Sequence, residues 1–156
     1  EVDALLVPVG GGGLISGVAV AAKSLSPRVK VIAVEPSAAP GAYLSFREGR
    51  PCEQIELRPT LADGLSGGFA PLAWEVSHDL IQAAVLVEDH EIAYAMRVFQ
   101  EAEQLMVEGA ASVGLAALLH GKVDLKGERV VLVLTSRNID AARYNQVTAQ
   151  REVDAR

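Results

Sequence analysis

An α/β domain, with a mostly parallel sheet and helices on both faces, is predicted by three features of the 156-residue sequence. Four short runs, residues 4–9, 29–34, 83–87 and 129–134, are almost continuously apolar and rich in Val, Leu and Ile. Such runs read as strands buried on both faces. Segments with helical spacing separate them, so successive strands become parallel and their connections become crossovers. Four consecutive glycines stand between the first strand and the first helix.

Each element has a local cause. After the glycines, residues 14–25 carry small and apolar side chains at helical spacing, and Ser26-Pro27 ends them. The second strand ends at Glu35-Pro36. Residues 39–48 read as a helix closed by Gly49-Arg50-Pro51. Residues 53–59 alternate weakly and read as an edge strand or an extended loop. A glycine-rich loop covers residues 61–68. Residues 71–81 form a helix with Pro71 in its first turn. Residues 88–106 place Ile92, Met96, Phe99, Ala102 and Met106 on one stripe, with Glu88, Asp89 and Glu91 at the favourable N-terminal end. Val107-Glu108-Gly109 breaks that helix, and residues 110–119 form another, closed by Gly121. The sequence from Asn145 to Arg156 is polar, so the globular unit is expected over 1–144 and a polar tail over 145–156.

Composition narrows the function. Half of the residues are hydrophobic and only 4% aromatic, so the core is aliphatic. A net charge of −6 argues against nucleic acid and acidic membrane surfaces as partners. The one cysteine, Cys52, excludes an internal disulfide and a cysteine-based metal cluster, and a reducing cytoplasmic setting is expected. No apolar run approaches the ~18 residues of a membrane helix. The sequence has no initiator Met and opens almost directly into a strand, which reads as a fragment.

The glycine turn carries the chemistry. Gly10, Gly11, Gly12 and Gly13 remove every side chain from the turn, so a bound group can reach the backbone N–H donors. The next helix adds its unpaired N–H groups and positive dipole end at the same spot. An anion, most simply a phosphate, fits there; the alternative is a tight turn with no ligand. Glu35 stands 25 residues after Gly10, where a dinucleotide fold places a ribose-binding acid, but the glycine spacing meets that fingerprint only loosely. The alternative for Glu35 is a solvated strand end. His78, His90 and His120 lack metal-ligand spacing and read as surface or cap residues. Trp74 and Cys52 read as structural, and Asp63 and Glu108 as solvated loop acids. Ligands of such sheets sit at the carboxyl ends of strands, which nominates the glycine turn, Glu35, Glu88 and residues 135–138.

Five motifs in order, Val7-Pro8-Val9-Gly10-Gly11-Gly12-Gly13-Leu14, Val34-Glu35-Pro36, Ala62-Asp63-Gly64-Leu65, Glu108-Gly109-Ala110-Ala111 and Leu134-Thr135-Ser136-Arg137-Asn138, resemble the threonine dehydratase and serine racemase family. The resemblance spans residues 2–143. It implies a tryptophan synthase β-like fold that uses pyridoxal phosphate. It implies that Gly10, Gly11, Gly12, Gly13 and the N–H of Leu14 cradle the cofactor phosphate. By the same resemblance Thr135 sets a hydroxyl against the pyridine nitrogen, and Gly64 and Glu108 lie near the ring or its substrate. A hydroxyl there makes a weaker electron sink than a carboxylate does, which suits elimination.

The implied activity is a threonine or serine ammonia-lyase, which removes the α-proton, expels the β-hydroxyl and yields a 2-oxo acid plus ammonia. A serine racemase is the alternative within the class, and a non-catalytic Rossmann-type nucleotide- or phosphate-binding module the alternative outside it. The implied partner is a small amino-acid substrate. A homo-oligomer is expected, because a split parallel sheet leaves apolar edges.

The sequence departs from the family in several places. Gly109 replaces a usual Pro, and Ser136-Arg137 a usual Gly pair. Relatives that bind a divalent cation would use the positions of Glu35, Ala39 and Gly41; Gly41 offers no carboxylate, so no metal site is assigned. The early Ser-x-Lys segment that forms the Schiff base and the Ser-x-Gly-Asn substrate loop are both absent. The lysines are Lys23, Lys30, Lys122 and Lys126. The chain therefore reads as the C-terminal half of the catalytic unit, inactive alone and with no catalytic residue assigned.

Overall fold

The computed structural model describes residues 2–149. Its centre is a four-stranded parallel sheet of β1 (Ala4–Pro8), β2 (Lys30–Pro36), β3 (Ala83–Val87) and β4 (Val130–Leu132), in the order β3-β2-β1-β4. The chain winds outward from β1 to β3 and then returns to the other side of β1. Winding therefore reverses between β1 and β4, and in open α/β sheets the ligand crevice lies at the carboxyl ends of such a pair.

Alternation along the strands sorts the core into two faces. Leu6, Ile32 and Val34 pack with α4 (Asp89–Glu103), α5 (Gly109–Leu119) and α6 (Ala141–Thr148). Val7, Val31 and Ala33 pack with α1 (Gly13–Leu25), α2 (Gly41–Glu48) and α3 (Pro71–Ser77). The three-layer α/β architecture expected from the sequence is present. No helix among the described residues is long and apolar enough to cross a membrane.

Several boundaries differ from expectation. α3 stops at Ser77 and not Ile81, because the N–H groups of Leu80 and Ile81 both fold back onto the Ser77 carbonyl. α4 stops at Glu103 and not Met106, because Gln104 takes a left-handed conformation at φ 55° and turns the chain. β4 is three residues long where six were expected. Among the described residues it is an edge strand with β1 as its neighbour, extended at one end by the Asp3 and Ala4 N–H groups to the Arg129 carbonyl and at the other by the Val133 N–H to Leu6. Residues 53–59 form the extended loop, not a strand. The polar stretch from Asn145 begins inside α6, which is capped by Asp140 and anchored by fully buried Tyr144, whose hydroxyl donates to the Met96 carbonyl at 2.7 Å. The rest of the expected tail, residues 150–156, lies outside the described residues.

Glu35 is neither a solvated strand end nor open to a ribose. It is fully buried, and its two oxygens accept the N–H groups of Ala42 at 2.7 Å and Tyr43 at 2.8 Å. It thereby caps α2, whose own N-cap residue, Pro40, supplies no side-chain bond. A Cβ at Gly41 would stand 2.8 Å from the Phe69 nitrogen, so position 41 has no room for an acidic side chain.

Burial pushes the Glu35 carboxyl from its ordinary 4.5 up to about 7, against the pull of the two N–H donors. Between these values the folded chain keeps a proton that the unfolded chain has released. Stability should therefore fall as pH rises from about 4.5 to about 7 and level off above, with a contribution on the order of 3 kcal/mol. Urea unfolding at several pH values checks this: Glu35→Gln should flatten that slope, and an unchanged slope would contradict the assignment.

Candidate functional site

The four glycines divide into two kinds. A Cβ at Gly10 would lie 3.2 Å from the Leu65 backbone, and one at Gly12 would lie 2.5 Å from the Ala73 Cβ and 2.6 Å from a Phe69 ring carbon. Gly12 also has φ +92°, in the left-handed region. Gly10 and Gly12 are thus demanded by the fold. At Gly11 and Gly13 an added Cβ meets nothing within 4 Å, so these two face open space. α1 starts at Gly13 with no side-chain cap at Gly12, so its first N–H groups, including that of Leu14, have no partner within the helix.

The loop of residues 61–68 lies against this turn. Leu65 touches Gly10, and a Cβ on Gly67 would stand 4.0 Å from the Gly11 nitrogen. At Gly64 a Cβ would lie 3.4 Å from the Ala110 Cβ and 3.8 Å from Glu108 Oε1. The loop is held from behind: the Leu61 N–H and the Thr60 hydroxyl donate to Asp89, and Asp63 faces Arg143 at 3.5 Å. Gly109, where the resemblance leads one to expect Pro, has a structural cause. A Cβ there would stand 2.2 Å from the Leu61 carbonyl oxygen.

Thr135 is exposed just past β4 and lines an open recess of about 350 Å³ with Leu105, Val107, Leu134 and Arg137. The Arg137 Nε donates to the Met106 carbonyl at 3.3 Å. Beside it, Glu108, Asp63, Asn138 and Arg143 line a smaller recess of about 130 Å³. β1 and β4 pair in register from Ala4↔Val130 to Leu6↔Leu132, so the glycine turn and Thr135 leave adjacent strands at the same end. The structure therefore brings Gly10 to Leu14, Gly64, Glu108 and Thr135 to one rim. Glu35 has both oxygens engaged in capping α2. Glu88 caps α4 and accepts a bond from the Ser37 hydroxyl.

Lys23 and Lys30 lie at the other end. Lys23 is in the last turn of α1, ten residues or about 15 Å from Gly13. Lys30 opens β2. Lys122 and Lys126 lie between the end of α5 and the start of β4, and Lys122 is paired with Glu91 at 2.8 Å. His78 and His120 cap α3 and α5, in keeping with the sequence reading, and Trp74 packs on Phe46 and His78. Sequence reasoning missed the support behind the turn. Phe69 and Ala73 read only as apolar positions, and Ser16 is a polar residue in an otherwise apolar helix face.

The match of residues 1–136 to their family places the chain in a class: it belongs to the pyridoxal-phosphate dependent enzymes. Within that class it is 42% identical over 148 residues to the L-threonine ammonia-lyase of Thermotoga maritima, covering 94% of this chain and 36% of that protein. It is 38% identical to the serine racemase of Rattus norvegicus, covering 94% of this chain and 45% of that protein. The processed form of threonine deaminase isoform 2 from Solanum lycopersicum superposes with a TM-score of 0.85 at 30% identity, covering 96% of this chain and 44% of that one. Maize serine racemase superposes with a TM-score of 0.84 at 33% identity, covering 96% and 46%. The fold is the tryptophan synthase β-like fold of these neighbours. The chain spans less than half the length of these relatives.

The two kinds of glycine should behave differently. Gly11→Ala and Gly13→Ala should keep the fold and weaken inorganic phosphate binding about tenfold or more, because their new methyl groups enter the open side. Gly12→Ala should cost about 2 kcal/mol or more of stability, because its methyl meets Phe69 and Ala73. Thermal unfolding and phosphate titration of the three variants check this; a fully stable Gly12→Ala would contradict it.

Proposed function

We propose that this chain supplies the cofactor-holding half of a pyridoxal-phosphate dependent threonine or serine ammonia-lyase. The observation that carries the reading is the open face of Gly11 and Gly13, set beside the strand end that presents Thr135. In this reading the N–H groups of residues 10–14 hold the phosphate, aided by the dipole of α1. The Thr135 hydroxyl bonds the pyridine nitrogen without bringing a negative charge to it. Gly64 leaves the ring room beside Glu108, and the Glu108 carboxylate borders the ring or the substrate. The cofactor, when bound, supplies the electron sink that makes the α-proton of an amino acid removable.

No residue of the chain is assigned the covalent attachment. An attacking lysine must stand at the cofactor aldehyde; Lys23 and Lys30 lie at the far end of the sheet, Lys122 is paired with Glu91 in the first turn of α4, and Lys126 lies between α5 and β4. A complementary polypeptide carrying the Ser-x-Lys segment would provide it. The serine racemase reading rests on the similarity to racemases. The dinucleotide-module reading is weakened by Glu35, because both of its oxygens cap α2. Val131 and Leu134 are each 41% exposed at the β4 edge, which supports association of copies when nothing else covers that edge.

One experiment tests the half-site. The chain is mixed with pyridoxal phosphate, reduced with borohydride, and the labelled peptides are mapped. Sedimentation is run alongside, with and without the complementary polypeptide. Alone, the chain should self-associate, form no 2-oxobutanoate from threonine and carry no stoichiometric label. Turnover and a mixed complex should appear together on adding the second polypeptide. A single stoichiometric label on one of the four lysines, with 2-oxobutanoate formed, would overturn the reading.

A further inference from the structure

The direction of the open N–H groups has an identifiable cause. In a trans peptide the C=O and the following N–H point in opposite directions. The Gly11 carbonyl accepts the Ala70 N–H at 3.3 Å, which turns the Gly12 N–H away from α3. The Gly12 carbonyl accepts twice from Ser16, from its N–H at 3.0 Å and from its hydroxyl at 2.8 Å. That pins the next peptide and turns the Gly13 N–H outward along the α1 axis.

Ser16 is itself braced. Its side chain is almost wholly buried against α3, with its oxygen 3.2 Å from the hydroxyl of fully buried Ser77 and 3.3 Å from the Ala73 carbonyl. Ser77 donates to the same Ala73 carbonyl at 2.6 Å. Each hydroxyl carries one proton, that of Ser16 directed to Gly12 and that of Ser77 to Ala73, and the two oxygens pack against each other at 3.2 Å. The glycine turn, α1 and α3 are thereby joined through one buried hydroxyl pair. A serine that bonds back to the carbonyl four residues earlier gains a helix interior little. An alanine would form α1 better. The hydroxyl at position 16 thus works against local helix preference while it fixes a peptide of the turn.

We infer that Ser16, braced by Ser77, is a positioning residue that presets the N–H groups of Gly12 and Gly13 for a phosphate. The inference rests on the phosphate reading of the glycine turn. Ser24 provides an internal control. It makes the same bond, to the Val20 carbonyl at 2.8 Å, but it is exposed and far from the turn.

The test uses the full chain and inorganic phosphate, followed by calorimetric titration and by the amide resonances of Gly12 and Gly13. Ser16→Ala should bind phosphate about five- to tenfold more weakly, with an unchanged or raised melting temperature and with both amide resonances displaced before any phosphate is added. Ser77→Ala should displace them less. Ser24→Ala should match the wild type in every readout. Equal phosphate affinity in Ser16→Ala and wild type would overturn the inference, and so would a loss of affinity matched by a fall in melting temperature. Wild-type chain that binds no phosphate would overturn the phosphate reading itself, and the inference with it.

Discussion

The contact of Gly12 with Phe69 and Ala73 sets the geometry on which the site depends. No side chain at position 12 could pass between α1 and α3, and the left-handed φ there turns the chain from β1 into the helix. Once that contact is made, Gly10 must lie on the Leu65 backbone and Gly11 opposite Gly67. The second glycine-rich loop is therefore docked by the first. Asp89 ties its other end to α4, and Gly109 lets the start of α5 press on Leu61. The rim carrying Gly64 and Glu108 follows from these approaches, and at Gly12 and Gly109 they leave no room for a side chain.

The charge distribution follows the same division. Buried Glu35 and partly buried Asp89 spend their carboxylates on backbone N–H groups, which fixes loops near the rim without adding anions to it. Lys23 and Lys30 lie toward the amino ends of the strands, and Lys122 is neutralised by Glu91. At the carboxyl ends, the groups that face outward include backbone N–H donors, a neutral hydroxyl, Arg137 and the carboxylates of Asp63 and Glu108. The N–H donors at the start of α1 suit a dianionic phosphate.

Much of this was legible in the sequence. The strands, the parallel order and the glycine turn follow from apolar runs such as residues 4–9 and from helices between them, because those patterns report burial on both faces. The five-motif resemblance supplied Thr135, Gly64 and Glu108, which spacing alone would have left as ordinary loop residues. Long-range contacts were not legible. Glu35 looked exposed because a strand end with Pro36 reads as surface, and nothing local shows that α2 folds back onto it. α6 was hidden because Asn145, Gln146 and Thr148 read as polar, although Tyr144 and Val147 give the helix a buried side. The four glycines looked equivalent, since their difference lies in Phe69 and Ala73, far along the chain.

The account turns on whether residues 10–14 hold the cofactor phosphate and whether any lysine of the chain attaches the cofactor. A crystal structure of the chain grown with pyridoxal phosphate measures both at once. The expected result is a phosphate within hydrogen-bond distance of the N–H groups of Gly11 to Leu14, the ring nitrogen beside the Thr135 hydroxyl, and no bond to any lysine. A phosphate bound elsewhere with the glycine turn empty, or a covalent link to Lys23, Lys30, Lys122 or Lys126, would contradict the account.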